Sequence, residues 1–170
     1  MVRVLNKISD AVNNVSKIVC GLLMGYLAIV CTLQVIFRKV FNNSLTWSEE
    51  SMRYVFIWMI LLATATTVKE GSGAAIDLLR KKCSGPKSRP VYEICTFMLT
   101  GFTAALLVYF GWQYMTANMK MTSAAVHFPM WIVYASVPVG SAITVLHCVN
   151  GIAAAIHDLR HSTERREENK

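Results

Sequence analysis

The sequence predicts an all-α integral membrane protein with four transmembrane helices, short amphipathic interfacial helices and both termini on one side. Three observations lead there. Long stretches lack any formally charged side chain, the first running from Ile18 to Phe37. A helix rises about 1.5 Å per residue, so about 20 such residues cross a hydrocarbon layer of about 30 Å. Hydrophobic residues make up 54% of the 170-residue chain and charged ones 16%, too little charge for a soluble domain of this size. Finally, 13 of the 17 Lys and Arg fall on segments that four spans would place on the same side.

The polar lead-in, residues 1–17, carries Leu5, Ile8, Val12, Val15 and Val19 at steps of three and four, with Arg3, Lys7, Asp10, Asn13, Asn14 and Lys17 between them. That is the pattern of an amphipathic helix, which either lies on the lipid surface or extends the first span; the surface helix is the favoured expectation. The lead-in is long for a signal peptide, the apolar run exceeds a signal core and no small-x-small site ends it, so the first helix is expected to stay uncleaved.

The first span is residues 18–37, with Gln34 its most polar member. The second is 47–68: Thr46 followed by Glu49 fits a capping box, and Lys69-Glu70-Gly71 supplies a charged stop and a glycine. Residues 74–82 read as a short interfacial helix, with Ile76, Leu78 and Leu79 toward lipid and Arg80, Lys81 and Lys82 toward headgroups. The third span follows Pro90, over 91–115, and the fourth is 129–152, where Pro138 is expected to kink the helix. Residues 158–170 read as a frayed, mixed-charge tail.

Basic residues number three before the first span, six between the second and third, and four in the tail. The positive-inside bias then puts both termini in the cytoplasm and Trp47 and Trp131 at the outer interface. The net charge of +7 has this origin, and nucleic-acid binding is not expected.

Ionisable groups within spans mark transport and redox chemistry, and the apolar stretches hold almost none. The exception opens the second span. Arg53 lies four residues after Glu49 and three after Glu50, within reach of either carboxylate on the same helix face. Trp47, Glu50, Tyr54, Trp58, Leu61 and Ala65 form one stripe, expected to pack against protein. Trp47, Glu50, Arg53, Tyr54 and Trp58 are therefore the candidate interface residues, while wet charges at a helix start are the plainer reading. His127, His147, His157 and His161 all lie in or around the fourth span, against the two-helix histidine ligation of a haem anchor; His147 reads as an inner-interface residue. The cysteines have no metal-ligand spacing, and Gly21 and Gly25 form a weak G-x-x-x-G. No cofactor, no metal and no enzymatic activity are expected.

Trp47-Ser48-Glu49-Glu50 with Arg53-Tyr54, the run through Phe56 and Trp58, and Asp77-Leu78-Leu79 resemble the signature of the DctQ family, the small membrane subunits of tripartite ATP-independent periplasmic (TRAP) transporters. Phe128-Pro129-Met130-Trp131-Ile132-Val133-Tyr134 with Pro138-Val139-Gly140 is similar to that family's fourth span. The chain departs from the family at Gly73-Ala74-Ala75-Ile76, where a histidine and a branched residue often precede the aspartate. The resemblance implies a non-catalytic subunit of the bacterial inner membrane that scaffolds a large sodium-coupled elevator subunit. A periplasmic binding protein would deliver an organic acid of the sialic acid or C4-dicarboxylate class, and lipids would surround the subunit. The alternative is a stand-alone homo-oligomeric four-helix transporter, which would place a carboxylate within a span.

Overall fold

The computed structural model describes residues 2–40, 46–71, 88–123 and 127–167. Four helices dominate: α1 Val2–Val40, α2 Thr46–Glu70, α3 Ser88–Ala117 and α4 Met130–Glu167. Each contains a stretch long and apolar enough to cross a membrane. Antiparallel succession puts both termini at one end, the terminal end, together with the α2 C-terminus and the α3 N-terminus. The α1 C-terminus, the α2 start and the α3–α4 connection form the far end. The expected interfacial helix over 74–82 lies outside the described residues.

The lead-in expected over 1–17 does not form a separate surface helix over its described part, 2–17: α1 runs from Val2 to Val40 without a break, for 39 residues or about 58 Å. Neither Pro nor Gly stands between Val2 and Cys20 to interrupt the helix. The tail likewise is not frayed from Asp158, because α4 runs on to Glu167 through a segment rich in helix-favouring Leu, Arg and Glu. It also runs through Pro138.

The helices make an open row rather than a closed bundle. α1 packs on α2, α2 on α4 and α4 on α3; α1 touches α4 lightly, and α3 has no comparable contact with α1 or α2. α4 is consequently the most buried helix. Small residues set its crossings. A Cβ on Gly140 would stand 2.8 Å from the Cβ of Leu61 in α2, and one on Gly111 of α3 would stand 2.9 Å from Val137 and 3.2 Å from Pro138. Without side chains there, the backbones approach closely, the usual basis of helix association in lipid.

α1 is patterned inside out. Its buried or half-buried positions include Asn6, Ser9, Asn13, Ser16, Cys20, Leu23, Leu27, Val30 and Gln34, a seam at steps of three and four, with Val12, Val19 and Phe37 half-buried beside it. Most of them are polar at the terminal end, whereas Ile8, Val15, Ile18, Leu22 and Ile29 are exposed. In lipid this arrangement is favourable, since apolar side chains lose nothing outward and polar ones find partners inward.

Candidate subunit interface

The stripe along α2 packs against protein, and the protein is this chain's own α4. Its phase on α2 turns Tyr54, Trp58, Leu61 and Ala65 toward the first half of α4. The Tyr54 ring stacks on Phe128, with centroids 6.5 Å apart and planes 23° apart. The Trp58 indole N–H donates to the Ile132 carbonyl at 3.2 Å, and Ala65 is fully buried. Glu50 is half-buried and accepts a hydrogen bond from the Ser123 hydroxyl. Ser123 lies in a tight connection whose backbone closes on itself through Ser123 N–H to the Phe128 carbonyl at 2.9 Å and Met130 N–H to the Met121 carbonyl at 2.9 Å. His127 sits there at φ 52°, in the left-handed region. Glu50, Tyr54 and Phe128 thus pin the α3–α4 connection onto α2.

The neighbouring carboxylate turns the other way. Glu49 accepts from the Gln34 amide at 3.0 Å, and the Tyr26 hydroxyl meets Ser51, so this edge of α2 is tied to α1. Glu49 and Glu50 thus each bond across to another element of the chain. Arg53 is exposed, as is Trp47. Of the five candidate residues, three face the chain's own fold and two face outward. The sequence shows the stripe, but the identity of the helix that covers it depends on the α1–α2–α4–α3 order.

A second polar cluster at the terminal end was not foreseen as a site. The Ser9 hydroxyl and His147 Nδ1 are 2.8 Å apart, linking the first helix to the last, and both side chains are buried. His147 is thus packed between helices at the charged terminal end. Lys69 and Asp10 are near enough to act on it electrostatically, and they pair with each other at 2.6 Å. Lys17 pairs with Glu70 beside them. The signal available in the sequence was the polar three-four alternation from Asn6 to Ser16, which marks an inward seam as readily as a wet face.

Between these clusters α1 stands away from α4 and leaves an open apolar groove. Its far half, about 310 Å³, is walled by Val19, Leu23, Tyr54, Trp58, Phe128 and Ile132. The half toward the terminal end, also about 310 Å³, is walled by Ala11, Val12, Val15, Ser16, Leu62 and Ile143. Among the described residues no group of three His, Cys, Asp or Glu side chains could hold a metal ion.

Four helices long and apolar enough to cross a membrane define the class, a multi-pass membrane protein. The chain belongs to the DctQ component family of the tripartite ATP-independent periplasmic transporters, whose pattern it matches over residues 27–158. It is 27% identical over 142 residues to the sialic acid TRAP transporter small permease protein SiaQ of Vibrio cholerae, covering 83% of this chain and 81% of that one. It is 30% identical over 107 residues to the C4-dicarboxylate TRAP transporter small permease protein DctQ of Rhodobacter capsulatus, covering 59% of this chain and 44% of that one. A small permease protein attributed to a TRAP transporter in Haemophilus influenzae is 24% identical over 152 residues, covering 87% and 94%.

Proposed function

We propose that this chain is the non-catalytic scaffold of a TRAP transporter, bracing a large sodium-coupled membrane subunit that imports an organic acid. The observation that carries this reading is the open row of helices. α3 and α1 flank α4 and α2 without closing on each other, which leaves broad apolar faces and encloses no polar passage between the described helices. A transporter acting alone needs a carboxylate or similar group within its path; here the acids with described contacts, Asp10, Glu49, Glu50 and Glu70, sit toward helix ends and hold neighbours in place. The relatives named for sialic acid and for C4-dicarboxylates support an organic acid as cargo, delivered by a periplasmic binding protein. In this reading the chain sits in the bacterial inner membrane with its termini in the cytoplasm, in keeping with its basic residues.

Retrieval of the tagged chain from its native membrane tests this. A large, very hydrophobic subunit should be retained with it, and the purified small chain alone should give no solute flux in liposomes. Flux by this polypeptide alone would establish the homo-oligomeric transporter in its place.

A further inference from the structure

From the buried junction of Ser9 and His147 we infer an acid-released latch at the terminal end. His147 holds the lead-in of α1 against α4 while its imidazole is neutral, and protonation frees residues 2–17 to lie along the membrane surface. The inference goes beyond the scaffold reading and does not depend on it. Ser9 is fully buried, His147 is 1% exposed, and the hydroxyl stands 2.8 Å from Nδ1. The other ring nitrogen, Nε2, is buried too and has no hydrogen-bond partner among the described residues. A neutral imidazole carries one N–H, which a single partner such as Ser9 can serve or complement. The protonated ring carries two N–H groups and a full positive charge, and no described acceptor stands at Nε2 to receive the second.

The charged groups around the ring are already engaged. Asp10 of α1 and Lys69 of α2 are near enough to act on it, but they pair with each other at 2.6 Å. Lys17 of α1 and Glu70 of α2 pair beside them. On the other side of α4, α3 brings Gly101 close to Cys148 and Phe97 close to Gly151, and it has no charged residue from Ile94 to Ala117. Its Glu93 lies a turn before Phe97, beyond the level of His147. An imidazolium left between these helices is a buried charge without a partner of its own, which is costly, and water can reach it only where α1 withdraws. The freed segment has a second place to rest. Asn6, Ser9, Asn13 and Ser16 form one stripe and Ile8, Val12 and Val15 another, the pattern of a helix at a lipid–water boundary. Docked, Ser9, Asn13 and Ser16 are turned inward and buried; released, the same stripe faces water and the apolar one faces lipid. One proton at His147 thus selects between two arrangements of the lead-in.

The test uses the full chain in lipid nanodiscs, with its native cysteines replaced by alanine. It follows alkylation by a water-soluble maleimide at Ser16→Cys, a buried site on the inward stripe, relative to Asn14→Cys, an exposed site on the same helix. The ratio cancels the change in thiolate fraction with pH. Docking is fully present above the ordinary histidine value of about 6.5 and is lost as pH falls below it, by one proton per release. The ratio should therefore rise about tenfold from pH 7.5 to 5.5, a window that stays about a unit above ordinary carboxylates. In His147→Asn, which keeps a hydrogen-bonding group for Ser9 but takes up no proton, the ratio should stay flat, and His147→Gln should do the same. An unchanged ratio in the wild-type chain, or an equal rise in these variants, would overturn the latch. Because the small chain is measured alone, the result stands whether or not a large subunit is retained in the earlier experiment.

Discussion

At the scale of single residues, Ser9 and His147 tie the first helix to the last. Their side chains are buried on helices separated by 138 positions, and each is the other's partner across the α1–α4 boundary. Buried polar pairs in membrane proteins contribute about 0.6 kcal/mol on average and at most about 1.7. A cycle of Ser9→Ala, His147→Phe and the double variant, followed by thermal unfolding in detergent, should give a coupling of about 0.5–1.5 kcal/mol. Additive losses would show that the contact does not hold α1 in place. Neither residue stands out in the sequence, because a serine in an amphipathic lead-in and a histidine near a span end each suit a wet interface. Their burial follows from which helices become neighbours. The α2 stripe teaches the same lesson from the other direction. Trp47 to Ala65 shows by its period that a protein surface covers it, yet Tyr54 and Trp58 meet Phe128 and Ile132 of their own chain.

At the scale of elements, the apolar runs place the four spans well because hydrocarbon permits little except charge-free helix there. Helix ends outside hydrocarbon obey weaker rules. Residues 2–17 contain both an apolar and a polar stripe, and periodicity alone cannot say whether such a helix lies flat or continues the span. The polar stripe decides the matter, since Ser9, Asn13 and Ser16 are buried in the fold and could not be if the segment lay on the membrane surface. Spin labels at the exposed positions Ala11 and Thr32 provide a direct check. Twenty-one helical residues should hold the labelled backbones about 32 Å apart with a narrow distribution. A markedly shorter or broad distance would mean that the helix bends near Lys17.

At the scale of the whole molecule, the order α1–α2–α4–α3 makes α4 the one helix on which α3 depends. In a closed four-helix bundle each helix has two neighbours, so a single bad contact is shared. Here the α3–α4 contact stands alone among the described helices, and Gly111 is its close point against backbone, with Val137 2.9 Å and Pro138 3.2 Å from an added Cβ. Gly111→Leu would require a larger displacement still, because Pro138 is ring-locked backbone that cannot swing aside as a long side chain can. Overpacking of this kind costs about 1–3 kcal/mol, and with no second neighbour for α3 the cost falls on that interface. Backbone amides of α3 should therefore exchange about 5- to 150-fold faster in detergent, while those of α2, held by α1 and α4, keep their wild-type rates. Equal acceleration in α2 and α3 would indicate a closed, cooperative bundle and contradict the open row. The same dependence has a functional consequence under the scaffold reading. A partner that covers the free faces of α3 and α1 supplies the second neighbours that this chain lacks, so binding of the large subunit should return the α3 exchange rates of Gly111→Leu toward wild type.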